Sequence, residues 1–139
     1  MRRLWPFILC IVSLTAAAGC AHSPSVPSGP VDAQVVLAPG QSVDVAGTSL
    51  RVQFQSVVSD TRCPGDALCI QGGDAVVRIN ARTTTTAETT FDLHLHVAAA
   101  EPVRVGDLSI AFETLTPYPF FSRGPIQPGD YRATLRVTR

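Results

Sequence analysis

At 139 residues, with 45% hydrophobic and only 16% charged side chains, the chain is too apolar for a disordered protein and has room for one domain. All eleven basic residues are arginine, and they balance eleven acids. That balance excludes a cationic field for nucleic acid and a polybasic patch for an anionic membrane.

Met1 to Cys20 reads as an export segment. Arg2 and Arg3 form its charged start, Leu4 to Leu14 is an apolar run interrupted by Pro6, and Thr15 to Cys20 is a region of small residues. The run is shorter than the ~18 residues that a membrane-spanning helix needs, so removal is expected rather than retention as a helix. Cys10 lies in the discarded part. Loss of Arg2 and Arg3 leaves nine arginines against eleven acids, a net charge near −2.

Ala17-Ala18-Gly19-Cys20 resembles a bacterial lipobox, with Ala17 where leucine is commoner. The resemblance implies cleavage after residue 19 and a diacylglycerol on the Cys20 thiol, and hence a lipid anchor in a membrane. In a cell with an outer membrane it also implies residence there, because Ala21 is not the aspartate associated with inner-membrane retention. The competing reading is cleavage after Ala18 by a non-lipid signal peptidase, which suits Ala16-x-Ala18. Residues 20–32 follow as a tether: Ala21 to Pro30 contains three prolines, three serines and a glycine, a composition that builds no core. His22 sits in this tether without neighbours to act with.

Residues 33–139 read as strands throughout. Ala33 to Ala38 and Ser42 to Ala46 flank Pro39-Gly40, which predicts a hairpin. Leu50, Val52 and Phe54 alternate with polar residues, and Val77, Ile79 and Ala81 alternate with Arg78, Asn80 and Arg82. Phe91, Leu93, Leu95 and Val97 form one face of the next segment, while Asp92, His94 and His96 form the other. Val103 and Val105, then Leu108, Ile110 and Phe112, flank Gly106-Asp107; Tyr131, Ala133, Leu135 and Val137 close the chain. About eight short strands predict an all-β, antiparallel sandwich, with a small β-barrel as the alternative.

An internal repeat is also suggested. Val43 to Ser56 lines up with Val103 to Thr114, and each unit continues through a loop and a Gly-Asp pair (Gly73-Asp74, Gly129-Asp130) into another strand. The offset drifts from 60 to 58 to 56 residues. Independent hairpins converging on one pattern would look the same. A true repeat would make the loop around Cys63 and Cys69 equivalent to the loop from Pro117 to Pro128.

Cys63 and Cys69 stand six positions apart across Pro64-Gly65-Asp66. In an exported chain this reads as a local disulfide; the spacing suits neither a Cys-x-x-Cys redox motif nor a zinc site. Arg62 lies between Asp60 and Asp66, so its fork is expected to clamp the loop through either carboxylate or through loop carbonyls, with binding of an anion as the alternative. Asp60-Thr-Arg-Cys-Pro64, followed by Cys69-Ile70 and Gly73-Asp74, resembles a group of small exported bacterial β-domains and lipoproteins of unknown function. Their motif runs Asp-Ser-Arg-Cys-Pro, a short loop, Cys-Ile or Cys-Val, usually an aromatic, then glycine. Thr61 replaces the serine and Gln71 stands where tryptophan is expected. The resemblance implies a fold and no activity.

Two further candidates remain. His94-x-His96 puts two imidazoles on one strand face, a start for a copper, zinc or nickel site that needs ligands from elsewhere; a solvent face is the plain alternative. Tyr118, Phe120 and Phe121, among prolines, either cap the end of a sandwich or form an apolar platform for an envelope protein or a glycan. No nucleophile elbow, phosphate-cradling loop or zinc-protease motif is present, and nothing calls for a cofactor. The expectation is a lipid-anchored, extracytoplasmic, non-catalytic binding or scaffolding module. A periplasmic metal-binding protein and a small hydrolase are the alternatives.

Overall fold

The computed structural model describes residues 29–96 and 101–139. The export segment, Cys20, the tether up to residue 28 and Val97 lie outside the described residues. Among the described residues, eight strands form two antiparallel sheets of four that are not closed into a barrel. The first sheet runs β1 (Asp32–Leu37), β8 (Arg132–Thr138), β7 (Leu108–Thr116), β6 (Val103–Val105). The second runs β2 (Ser42–Asp44), β3 (Arg51–Asp60), β4 (Ala75–Arg82), β5 (Thr89–His94).

Alternation in the sequence becomes two sides of a sheet because successive Cβ atoms point to opposite faces. Ala75, Val77, Ile79 and Ala81 of β4 are buried in one core with Ala133, Leu135 and Val137 of β8, and Val52, Phe54, Leu108 and Ile110 belong to the same cluster. The two longest strands carry bulges that flip this parity, two in β3 and one in β7. In β7 the register shifts between Phe112 and Thr114, so Leu108 and Ile110 point inward before it and Leu115 after it. In β3 the shift between Phe54 and Ser56 brings Val57 to the inner side instead of Ser56.

The two aligned segments also share a pairing register. Val52↔Ala81 and Phe54↔Ile79 in the second sheet correspond to Ile110↔Val137 and Phe112↔Leu135 in the first, and the bulge follows the phenylalanine in both. β2, β3, β4 thus match β6, β7, β8. The fourth strand differs in origin: β5 follows β4 in the chain, whereas β8 is flanked by β1 from the N-terminal side.

That last pairing corrects the hairpin predicted at Pro39-Gly40. β1 pairs with β8, from Asp32↔Thr138 to Leu37↔Ala133, and β2 pairs with β3 in the other sheet. The turn is real: Gln41 N–H donates to Ala38 O at 2.9 Å, and Gly40 takes φ 82°, a left-handed conformation that suits a residue without Cβ. It serves as a corner between layers. Gly40 N–H donates to Phe54 O at 2.7 Å and Phe54 N–H to Gln41 O at 3.0 Å, which fastens the corner to β3. Turn chemistry specifies where a chain bends and says nothing about which strand lies alongside.

Candidate functional site

Both long loops leave the sandwich at one end. The cysteine loop connects Asp60 of β3 to Ala75 of β4, and the proline loop connects Thr116 of β7 to Arg132 of β8. They meet there, and Arg62 is the hub. It is the one polar or charged residue among the described residues in the buried class, at 5% exposure. Its Nε donates to Asp60 Oδ1 at 2.7 Å and its Nη2 to Asp60 Oδ2 at 2.6 Å, a two-pronged pairing. The same guanidinium donates across the gap to the carbonyls of Leu115 and Pro117, the latter at 3.0 Å. Tyr118 lays its ring 5.1 Å from the guanidinium carbon. Tyr131 Oη donates to Asp60 Oδ2 at 3.1 Å. Burial pushes the Asp60 carboxyl up, but the hydrogen bonds and charge of Arg62 outweigh it and hold the group below its ordinary value.

Further out, the loops lock a second time. Gly65 N–H donates to Pro119 O at 2.9 Å, and the Phe120 ring lies flush on Gly65, where a Cβ would meet it at 2.7 Å. Asp66 does not pair with Arg62. Its carboxylate accepts from Phe121 N–H at 2.7 Å and Ser122 N–H at 2.9 Å, the free donors that open the 3₁₀ turn Phe121–Arg123. Those bonds hold the Asp66 carboxyl below its usual value. Arg123 stacks over Phe120 at 4.4 Å.

The disulfide Cys63–Cys69 spans a Cα separation of 6.0 Å. Beyond it the loop projects Leu68 and Ile70, both fully exposed, on either side of Cys69. Phe121 is 77% exposed and Tyr118 about half, so this end carries four large apolar side chains in solvent. Phe120 is the most covered of the three loop aromatics. The disulfide shortens the unfolded chain by closing a small loop, worth about 2 to 2.5 kcal/mol on the chain-entropy model. The double variant Cys63→Ala/Cys69→Ala should lose that much in urea unfolding of the protein; an unchanged midpoint would show that the interloop bonds alone set the loop.

The histidines lie at the same end, on the edge strand. β5 stops at His94, so His96 stands just past the strand. Asp74 organises both: its Oδ1 accepts from Leu95 N–H at 3.1 Å and His96 N–H at 2.8 Å, and its Oδ2 lies 2.7 Å from His94 Nδ1. Asp92 is taken by Arg78, at 2.7 and 2.8 Å. Among the described residues there is no group of three His, Cys, Asp or Glu side chains placed to hold a metal ion.

Sequence reasoning passed over Leu68, Ile70, Tyr131 and Asp74. The first two could be placed in a loop from the sequence, since they flank a cysteine among turn residues, but their exposure is set only by how the loops fold. Tyr131 and Asp74 carried no signal, since their partners Asp60 and His94 are distant in the chain. Comparison of the chain with protein-family models, with curated proteins and with solved structures finds no match.

Proposed function

We propose that this chain is an exported lipoprotein of the cell envelope, anchored through Cys20, whose sandwich carries a non-catalytic protein-binding end. The observation that carries the reading is the fused pair of loops with Leu68, Ile70 and Phe121 held outward. Exposing aliphatic and aromatic side chains costs hydration free energy, and a loop without a task does not need two of them beside a disulfide. Here they stand on a base tied by Arg62, Asp66 and Gly65, so little ordering entropy remains to be lost on binding.

Topology gives this end a direction. Asp32, where the tether joins, pairs with Thr138, which pairs in turn with Ser109 near the start of β7. The loops emerge where β7 finishes at Thr116, about 23 Å away at roughly 3.3 Å per residue. A domain held by residues 20–32 therefore presents its apolar end away from the anchor, towards a partner in the envelope space.

The test is a photo-crosslinking amino acid placed in the full-length chain in its own cells. Replacement at Leu68, Ile70 or Phe121 should yield one discrete adduct, and replacement at Gln34 on the outer face of the first sheet should not. Equal labelling from all four positions, or none from the loops, would sink the binding end. Mass spectrometry of the mature N-terminus tests the anchor separately: a diacylated Cys20 is expected, and a chain starting at Gly19 overturns it.

A further inference from the structure

Away from the loops, the outer face of the second sheet carries two arginines where a sheet would normally avoid them. Arg51 and Arg82 are directly opposed across β3 and β4, a register in which like charges repel. Two other arginines on the outer faces are tightly compensated: Arg78 has two bonds to Asp92 at 2.7 and 2.8 Å, and Arg136 reaches Asp32 at 2.6 Å and Glu113 at 3.3 Å. Arg51 has a single long contact to Asp44 at 3.4 Å, and Arg82 lies 3.9 Å from Glu88. Each guanidinium offers five N–H donors, so most are left to solvent.

Around the pair lies a depression of about 430 Å³ lined by Ser42, Arg51, Gln53, Asn80, Arg82 and Glu88. Ser42↔Gln53, Gln53↔Asn80 and Asn80↔Thr90 form a row of hydroxyls and amides across all four strands, next to the arginine row. Thr90 donates to Asn80 Oδ1 at 2.7 Å, which turns the Asn80 amide nitrogen to the depression, where its contact to Glu88 is a long 3.5 Å. The fold does not require any of this. At the equivalent register of the first sheet, Ser109↔Thr138 replaces the arginine pair.

We propose that Arg51 and Arg82, with Ser42, Gln53 and Asn80, form a shallow site for the oxyanion of an acidic saccharide. A phosphate or carboxylate between the two guanidiniums removes their repulsion and accepts from both forks, while the amide and hydroxyl row suits sugar hydroxyls. Asp44 and Glu88 flank the arginines at the two ends of their row. Glu88 lines the depression itself and competes with the anion for Arg82.

The experiment is a titration of the purified mature protein at low ionic strength, read by ¹⁵N chemical shifts of the arginine Nε–H and side-chain amide groups. The probes are inorganic phosphate, glucuronate and neutral glucose. Phosphate or glucuronate should shift Arg51, Arg82, Gln53 and Asn80 together, with saturation that glucose does not produce; the tighter of the two tells phosphate from carboxylate. Arg51→Gln/Arg82→Gln should weaken binding at least tenfold, and Glu88→Gln should tighten it several-fold. The proposal is overturned if the anions shift these groups no more than glucose does, or if the double arginine variant binds equally well. It is also overturned if Glu88→Gln binds more weakly.

Discussion

Arg62→Met is expected to destabilise the protein by about 3–5 kcal/mol, the usual cost of breaking a buried ion pair from one side. Methionine fills much of the volume but leaves the Asp60 carboxylate, itself largely buried, with only Tyr131 as a side-chain donor. It also removes the donors to Leu115 O at the end of β7 and to Pro117 O in the proline loop, so both carbonyls lose this partner. The pH dependence separates this cause from simple loss of packing. In the wild type the Asp60 carboxyl is held below its ordinary value, so its contribution is present above the unfolded value of about 4 and is lost as pH falls through the folded one. In the variant the buried carboxyl has lost its cation and takes a proton more readily. The gap between the two proteins should therefore be widest at neutral pH and shrink in acid. Urea unfolding from pH 3 to pH 7 reads this directly. A deficit below about 1 kcal/mol would demote the pair to surface-like strength, and one that does not change with pH would assign the loss to packing.

Gly73→Ala should be as damaging, by on the order of 3 kcal/mol or more, for a steric reason. A Cβ on residue 73 would lie 1.4 Å from the carbonyl oxygen of Thr61 and 2.2 Å from its carbon, a collision with backbone that no rotamer relieves. The close approach serves the base of the cysteine loop. Thr61 N–H donates to Asp74 O at 2.8 Å, and Asp74 N–H donates to the Thr61 hydroxyl at 3.0 Å. Pushing the strands apart there breaks these bonds and displaces the Asp74 carboxylate that holds Leu95, His96 and His94. Amide exchange should quicken at Thr61, Leu95 and His96 together, while Gly72→Ala, at a position with open space around it, leaves stability within about 0.5 kcal/mol of wild type. Equal behaviour of the two variants would show that the backbone accommodates the added methyl.

Several features of the site were legible from local residues. The cysteine spacing pointed to the disulfide, and the turn residues around it pointed to a loop between two strands. Arg62 stood out by its position between two acids. What it does was not legible: of its two neighbouring carboxylates only Asp60 receives it, and its other acceptors are backbone oxygens more than fifty residues away. A carbonyl carries no mark in the sequence. Asp66 illustrates the same gap, since an acid three residues past a cysteine reads alike whether it pairs with an arginine or caps a 3₁₀ turn in another loop.

The all-β class, about eight strands, most of the faces they bury and the staple follow from local signals, because side-chain alternation, turn residues and cysteine spacing act within a few residues of one another. Tertiary structure alone decided that β1 lies beside β8, that Pro39-Gly40 turns a corner between sheets, and that the two loops share one end. Those outcomes depend on contacts between segments some fifty to a hundred residues apart, whose free energy comes from the whole burial of both sheets. The exposed trio Leu68, Ile70 and Phe121 belongs to the second kind. Apolar residues in the sequence promise a core, and only the folded loops leave these three outside it.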